Sequence, residues 1–205
     1  APIKETLASA LVLMSDYYNN PFLDPFCGSG TIPIEAAMIS ASIAPGKNRD
    51  FDFLHWKGFD FGYKDALNEA AAKEDRKSVQ PIFASDIDVK AIKLAKEHAN
   101  MAGVSDLINF KVCPVKDVKR CAKNLTLVTN PPYGERVYNR EEAEECYKSL
   151  GTLCRDNPDW SEFIITSDKN FERKFGKKAD RKRKLFNSEK ECYLYYYYRT
   201  LKEKL

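Results

Sequence analysis

The chain has 205 residues, a formal net charge of +3 and a hydrophobic fraction of 43%. That apolar content is enough for one domain with a sizeable core, and the mild positive charge permits an anionic partner without requiring one. No apolar run approaches transmembrane length and no signal peptide opens the sequence, which argues against a membrane protein and predicts a cytoplasmic one.

The cysteine pattern predicts neither a zinc site nor a disulfide framework. None of the six cysteines forms a C-x-x-C pair, and neither His55 nor His98 stands near a cysteine in the sequence. We therefore expect mostly buried, reduced thiols and no bound metal. The six are Cys27, Cys113, Cys121, Cys146, Cys154 and Cys192.

The first part of the chain predicts a helix followed by a strand, a glycine turn and a second helix. Helical apolar spacing covers residues 3–18 and is broken at residues 19–21. Residues 22–26 then predict a short buried strand, residues 27–31 a tight turn, and residues 34–39 the continuing helix. Strand, glycine turn and helix form the opening unit of a nucleotide-binding α/β fold.

The glycine turn does not match the dinucleotide fingerprint, because Pro33 stands where its third glycine would be. Gly28 and Gly30 would still let the backbone approach a ligand. Asp24, at the end of the predicted strand, would meet a positively charged group rather than a pyrophosphate. S-adenosylmethionine carries such a group, an ammonium, together with a sulfonium.

Residues 42–80 look like an insertion before the next strand. Its first part, residues 51–63, is rich in aromatic residues, and residues 65–77 predict a charged helix. We expect the aromatic rings to pin this loop onto the domain rather than to form a base-stacking platform. His55 could act as a general base, but a packing role is the favoured interpretation.

Residues 82–84 predict the second strand, and Asp86 follows it. A carboxylate at this point can accept both hydroxyl groups of a ribose. The alternative is a helix cap, a role that Asp88 fits for the helix predicted over residues 89–101. Ile87 could supply one wall of an adenine pocket.

The most informative stretch follows the fourth predicted strand, residues 125–128; the third is residues 108–112. Thr129-Asn130-Pro131-Pro132-Tyr133-Gly134 must form a stiff loop, because two consecutive prolines stop the strand. The Asn130 side-chain oxygen and the Pro131 carbonyl are two acceptors that suit one –NH2 group. Accepting both hydrogens favours the tetrahedral nitrogen that forms as the amine attacks, and Tyr133 can stack on the base. The alternative is a rigid proline turn with a capping asparagine.

The remainder predicts a helix over residues 140–155 and a fifth strand over residues 163–166. A basic stretch, residues 169–184, could contact phosphates or could simply be a solvated surface. The last element is a hairpin that turns at residues 187–190. Its tyrosine run, residues 195–198, predicts sheet core plus one ring at the surface.

Four motifs, taken in order, resemble the catalytic domain of the THUMP-containing, RlmL/YpsC-like RNA methyltransferases. They span residues 1–7, 24–31, 85–88 and 129–136, and the resemblance covers essentially the whole chain. It implies an S-adenosylmethionine-dependent enzyme that makes N2-methylguanosine in 23S ribosomal RNA. The implied fold is α/β and Rossmann-like, of the class I methyltransferases: a seven-stranded, mostly parallel sheet with an antiparallel last strand and helices on both faces.

The resemblance also assigns residues to roles. The implied catalytic residues, which hold the target base, are Asn130, Pro131 and Tyr133. The implied cofactor-binding residues are Asp24, Pro25, Cys27, Gly28, Gly30, Thr31, Asp86, Ile87 and Asn130. Many relatives place an aspartate after the third strand to bond the adenine amine, whereas this chain has Pro114 there. The adenine contact is therefore expected from the backbone or from Asp117.

We expect one methyltransferase domain over residues 1–205, with the insertion at about 42–80, and an RNA-binding THUMP domain before it in a longer natural protein. The expected partner is RNA, which the resemblance implies to be ribosomal RNA, and we expect no membrane and no metal. Two alternatives stay open. An adenine N6 amine in DNA or a glutamine amide in a protein would also suit the loop, and a non-catalytic RNA-binding module is the third interpretation.

Overall fold

The computed structural model describes residues 3–15, 17, 20–47, 49–58, 62–133 and 140–199. The first two residues of the opening motif and the predicted Gly134-Glu135-Arg136 segment lie outside this part. Within it, one seven-stranded sheet is surrounded by six α-helices. The strands are β1 (Phe22–Asp24), β2 (Ile82–Asp86), β3 (Ile108–Val112), β4 (Thr126–Thr129), β5 (Ser161–Thr166), β6 (Arg181–Asn187) and β7 (Lys190–Tyr197). The helices are α1 (Glu5–Met14), α2 (Thr31–Ser40), α3 (Tyr63–Ala72), α4 (Val89–Met101), α5 (Arg140–Arg155) and α6 (Phe171–Phe175).

The strand order is β3-β2-β1-β4-β5-β7-β6. β1 pairs in parallel with both β2 and β4, with Phe22 opposite Ile82 on one side and Thr126 on the other. β7 runs antiparallel to both β5 and β6. This confirms the predicted mostly parallel sheet with an antiparallel last strand. It also brings the carboxyl ends of β1, β2 and β4 together at one edge, where ligands bind in open α/β sheets.

Both faces of the sheet are buried, as expected for parallel strands covered by helices. Side chains alternate between two apolar clusters along each central strand, which β5 shows clearly: Phe163 and Ile165 join one cluster and Ile164 the other. The first cluster also takes in α1, α2 and α4, and the second takes in α5 and α6. The sheet is therefore the middle layer of three and rigidly supports the loops at its edge.

The tyrosine run at the end of β7 follows the same alternation. Tyr196 packs in the first cluster, Tyr195 and Tyr197 pack in the second, and Tyr198 remains 43% exposed. The prediction of sheet core plus one surface ring is confirmed. These rings account for the aromatic character of the C-terminal hairpin without a ligand.

The predicted bounds of helix α4, residues 89–101, are those observed, because local signals mark both of its ends. Asp88 is its cap, and the side chain accepts a hydrogen bond from the Lys90 backbone N–H at 2.8 Å. Ile92, Ala95 and Ala99 form its buried stripe. Beyond the last turn, Gly103 adopts a φ of +72°, which favours glycine. Local caps and periodicity therefore agree with the tertiary packing.

Helix α6 was not predicted. Its sequence reads as part of a basic surface, but Phe171 and Phe175 are buried in the second cluster. The two rings stack on each other with centroids 5.1 Å apart. The interleaved phenylalanines are thus core residues that hold a basic turn against the sheet.

In the insertion, the rings of Phe51, Phe53 and Tyr63 pack on one another at centroid distances of 5.4 to 6.4 Å. The expected packing role of His55 is wrong. Its side chain is 67% exposed, and Nε2 lies 2.9 Å from the Asp50 carboxylate. The ring is therefore paired with an exposed acid at the surface and is not packed in the aromatic cluster.

Four of the cysteines are buried, namely Cys27, Cys113, Cys154 and Cys192, and all six are free thiols. Among the described residues, no group of three His, Cys, Asp or Glu side chains is placed to hold a metal ion. None of the described helices combines the length and the apolar character that a membrane crossing requires.

Candidate functional site

Asp24 is the most deeply buried acid at the ligand-binding edge. Its side chain is 1% exposed, and its Oδ1 accepts hydrogen bonds from the Thr129 hydroxyl at 2.6 Å and the Phe26 N–H at 3.1 Å. Its Oδ2 has no hydrogen-bond partner among the described residues. A buried carboxylate oxygen without a partner is costly, so this atom points to a cationic or hydrogen-bond-donating ligand.

Burial raises the pKa of Asp24 to about 7, although the hydrogen bonds from Thr129 and Phe26 oppose the rise, and the nearby negative charge of Asp86 adds to it. A bound cation would favour the ionised carboxylate and reverse much of that shift. The residue is therefore suited to exchange a proton for a positively charged ligand group near neutral pH.

The two glycines of the turn at residues 27–30 serve different purposes. Both have positive φ, +52° at Gly28 and +87° at Gly30, so both favour glycine. A Cβ at Gly30 would lie 3.0 Å from the Ala95 Cβ, so this glycine allows the turn to pack closely on α4. A Cβ at Gly28 would meet no described atom within 4 Å. The space beside Gly28, and not beside Gly30, is open to a ligand.

Asp86 connects the glycine turn to β2. Its Oδ2 accepts from the Gly28 N–H and its Oδ1 from the Asp88 N–H, both at 3.0 Å. The carboxylate is thus fixed by two backbone donors while each oxygen retains a lone pair for a hydroxyl. Ile87, next to it, is 54% exposed, so its side chain is available as one wall of a ring-binding pocket.

The loop at residues 130–133 leaves β4 directly beside Asp24, because Thr129 bonds the Asp24 carboxylate. Pro131 is buried, and no described residue donates to its carbonyl. The Tyr133 hydroxyl donates a hydrogen bond to the Asn130 side-chain oxygen. The acceptor that the sequence assigns to an incoming amine is therefore engaged by the loop's own tyrosine.

The C-terminal hairpin reaches the same loop. The Lys190 ammonium lies 4.9 Å from the centroid of the Tyr133 ring, a cation–π contact. Burial raises the pKa of the Cys192 thiol, and a hydrogen bond with Tyr133 partly offsets this. Tyr133 is held by both the loop and the hairpin, which fixes where its ring stands.

The remaining predicted residues surround the glycine turn less directly. Pro25 and Cys27 are buried, and burial raises the pKa of the Cys27 thiol far above its usual range, so it is a neutral packing group. The Thr31 hydroxyl lies 3.5 Å from that of Ser29 at the start of α2. Asp117 is exposed in a 3-10 turn, Val115–Asp117, which follows Pro114.

Three contributors were missed by the sequence reasoning. Thr129 anchors Asp24, and its place before the Asn-Pro-Pro-Tyr motif was the available signal. His98 on α4 donates from Nδ1 to the Ser29 carbonyl at 3.0 Å and so braces the glycine turn. The buried Ser85 hydroxyl has no partner among the described residues. Nothing local in the sequence marks His98, and Ser85 lies within the motif at residues 85–88, which assigned it no role.

With β7 antiparallel between β5 and β6, the sheet departs from the doubly wound dinucleotide fold, and its arrangement is that of the Rossmann-like methyltransferases. Carboxylates at the ends of β1 and β2 around a glycine turn agree with that class. The chain belongs to the UPF0020 family of RMKL-like methyltransferase domains, whose model matches residues 1–196.

Similar proteins include the "Putative RNA methyltransferase YpsC" of Bacillus subtilis (strain 168), which is 48% identical over 91% of this chain and 49% of its own length. The ribosomal RNA large subunit methyltransferase K/L of Shewanella baltica (strain OS195) is 38% identical over 94% of this chain and 28% of its own length. The solved structure of SMU.472 complexed with SAH is 40% identical, with a TM-score of 0.92, over 97% of this chain and 53% of that one. The chain thus spans about half or less of each of these relatives.

Proposed function

We propose that this domain transfers a methyl group from S-adenosylmethionine to the exocyclic N2 amine of a guanine in RNA, specifically in large-subunit ribosomal RNA. One observation carries the proposal: the partnerless Asp24 oxygen lies at the strand end next to the Asn130–Pro131 acceptor pair, linked to it through Thr129. A site for a cation and a site for a planar amine are thereby adjacent. The names of the two curated relatives support RNA, and the SAH bound to SMU.472 supports the cofactor.

The residues present fit the cofactor. The buried Asp24 carboxylate would take its ammonium, and the open space beside Gly28 would admit its methionine part. The Asp86 carboxylate would take the ribose hydroxyls, and Ile87 would cover one face of the adenine. Pro25, Cys27, Gly30 and Thr31 shape the turn around these groups. When bound, the cofactor supplies a methyl group on a positively charged sulfur that is a good leaving group.

The chain's own contribution is to make a poor nucleophile attack. The lone pair of a guanine amine is delocalised into the ring, and it becomes available as the nitrogen turns tetrahedral. The Asn130 oxygen and the Pro131 carbonyl would each accept one amine hydrogen and favour that geometry in the transition state. Tyr133 would stack on the base, and holding both partners in line removes much of the entropic barrier.

The hydrogen bond between Tyr133 and Asn130 would be exchanged when the base enters and Tyr133 turns to stack on it. The amine then replaces the tyrosine hydroxyl on the same acceptor, so the acceptor remains satisfied in both states. This exchange lowers the cost of keeping a polar side chain ready in a partly buried loop. A target guanine in a paired region would have to be flipped out of its stack first.

The proposal also covers the position of this domain within a longer protein. We place it as one methyltransferase domain, with the insertion at about 42–80, that follows an RNA-binding THUMP domain in a longer cytoplasmic protein. The +3 charge is small for an RNA enzyme, so a second RNA-binding unit would supply the affinity that this domain lacks.

Nucleoside mass spectrometry tests the proposal. The full-length protein is incubated with S-adenosylmethionine and unmodified large-subunit ribosomal RNA, and the RNA is digested to nucleosides. We expect new N2-methylguanosine with the wild type. The Asn130→Ala variant should form none, and Asn100→Ala, an exposed asparagine on α4, should match the wild type.

Other products would overturn the proposal in distinct ways. Methylated adenine in DNA, or methylated glutamine in added protein, would assign the same acceptor pair to another planar amine. No transfer to any of these substrates, together with no stabilisation of the protein by the cofactor, would indicate a non-catalytic RNA-binding module.

A further inference from the structure

A cavity of about 450 Å³ opens beside Tyr133, at the carboxyl end of β5. It lies between the start of α5 and helix α6, and its volume is within the range of about 300–1,000 Å³ typical of small-molecule sites. Its charged lining residues are Glu141, Glu144, Asp168, Lys169, Arg173 and Lys174. The function proposed above uses only Tyr133 from this cavity.

Some charged side chains of the cavity form ion pairs with other described residues, and others do not. Asp168 pairs with Lys174 at 2.8 Å, and Glu144 pairs with Lys148 at 3.2 Å. Lys169 and Arg173 are exposed and form no ion pair with any residue in the described part of the chain. Among the described residues, Lys169, Arg173 and Glu141 are therefore the charged cavity side chains without an ion pair, and the α6 side of the cavity, with two of these cations, favours an anion.

The cationic side continues onto the hairpin. The pKa of Glu191 is held below its ordinary value mainly by the hydrogen bond from Lys184, with a smaller contribution from the charge of Lys169. Phe186, 58% exposed with the Lys184 ammonium 5.6 Å from its ring centroid, lies on that hairpin. The hairpin also places the Lys190 ammonium 4.9 Å from the Tyr133 ring centroid, so cationic side chains of the hairpin and of the cavity both lie beside Tyr133. Cations beside an aromatic ring are features that bind single-stranded nucleic acid.

We infer that this cavity binds the RNA strand next to the target nucleotide, with Lys169 and Arg173 on its phosphates. The inference rests on the proposed RNA substrate and adds the path of the strand. Phosphate contacts position a nucleic acid without reading its sequence. Their role here is to hold the strand so that the target base can reach Tyr133 and Asn130.

The test compares two double variants of the full-length protein. Lys169→Ala/Arg173→Ala removes the two cavity cations, and Lys93→Ala/Lys96→Ala removes two exposed cations from α4, on the other half of the sheet. The KM for ribosomal RNA, kcat and the affinity for a short single-stranded RNA are measured over a range of salt concentrations. Thermal melting confirms that both variants are folded.

For the cavity variant we expect a roughly tenfold higher KM and Kd for RNA at low salt, with kcat at saturating RNA unchanged. The slope of log Kd against log salt should fall by about 1.4, since each phosphate contact on a single strand contributes about 0.7. A merely structural role would not change the salt slope. The α4 variant should keep the wild-type KM and slope.

Equal KM and slope in the wild type and the cavity variant would overturn the inference, while N2-methylguanosine formed by both would leave the proposed function intact. If the wild type binds RNA without methylating it, the salt slope still decides the path of the strand. A product on DNA or protein would contradict the proposed function and, with it, this inference.

Discussion

The two halves of the site are built in different ways. On the cofactor side, Asp24 and Asp86 are held by groups from β4, the glycine turn and the start of α4. On the target side, Asn130 accepts from Tyr133, only three residues away in the same loop. The first half is held by hydrogen bonds between distant parts of the chain. In the second half, the bond that a substrate would replace lies within the loop, and the hairpin contacts the loop at Tyr133.

This difference determines which property each substitution should change. Changes on the cofactor side alter contacts between strands and helices, so they affect stability and cofactor affinity together. Changes in the loop at residues 130–133 leave those contacts intact, so they affect methyl transfer with little effect on folding.

Asn130→Ala should lower the rate of methyl transfer by roughly 10²–10³-fold, the usual loss when one preorganised transition-state contact is removed. Single-turnover kinetics at saturating cofactor and RNA would measure it. The melting temperature should stay close to the wild-type value, because the hydrogen bond lost lies within the loop. A fall in stability as large as that of a core variant would contradict the contrast.

The affinity for S-adenosylmethionine should fall about tenfold for each pH unit below about pH 7, because protonation of Asp24 removes the charge that binds the ammonium. The ammonium itself, with a pKa of about 7.8, remains charged over that range. Calorimetric titration at several pH values would show it. Asp24→Asn should bind weakly and without this pH dependence; an equally steep dependence in that variant would assign the titration to another group.

Asp24 should also make the free energy of unfolding depend on pH, but in the opposite direction to the cofactor affinity. Its pKa rises from an ordinary value of 3.8 to about 7 on folding, so the folded state binds the proton more tightly. The stability it contributes is complete below the unfolded pKa and is lost as the pH rises through about 7. The free energy of unfolding of the cofactor-free wild type should therefore fall, relative to that of Asp24→Asn, as the pH rises from 3.8 to about 7. Denaturant titrations at several pH values would measure it.

The glycine turn offers a matched pair of variants. Gly30→Ala should cost about 1–2 kcal/mol for the left-handed backbone and more for the contact with Ala95, which lowers the melting temperature. Gly28→Ala should incur only the backbone cost and should mainly weaken cofactor binding. Thermal melting with and without cofactor separates them. Equal cofactor stabilisation of both variants would show that the space beside Gly28 is not where the cofactor lies.

Tyr133→Phe should have the smallest effect, a change in kcat of less than about threefold, because the ring that stacks on the base is retained. It removes the hydroxyl that bonds Asn130, so it tests whether that bond is exchanged during the reaction. Steady-state kinetics with RNA would measure it. A loss as large as that of Asn130→Ala would mean that the hydroxyl itself takes part in transfer.

Much of the fold could be predicted because local signals agree with the tertiary structure. The helix over residues 89–101 has a cap at Asp88, a buried stripe and a terminal glycine, and its predicted bounds are those observed. The strand over residues 108–112 was likewise predicted with its observed bounds. Helix α6 was missed because five residues make little more than one turn, too short for periodicity to outweigh the surrounding charges.

The site was predictable in its residue types but not in its connections. The Asp24–Thr129 hydrogen bond joins residues 105 positions apart, so only the folded sheet places them together. Deep burial of Asp24, which raises its pKa, is also a product of packing and not of its neighbours in sequence. The bond between Tyr133 and Asn130 is local, but the motif indicates only that both are near a base, not that they bond each other.

The division of the site is tested most directly by one titration experiment. S-adenosylmethionine is titrated calorimetrically into the full-length wild type, Asp24→Asn and Tyr133→Ala proteins under identical conditions near neutral pH. We expect Asp24→Asn to lose most of the cofactor affinity, whereas Tyr133→Ala should bind the cofactor as the wild type does and fail only with RNA. Loss of cofactor affinity in Tyr133→Ala, or wild-type affinity in Asp24→Asn, would contradict it.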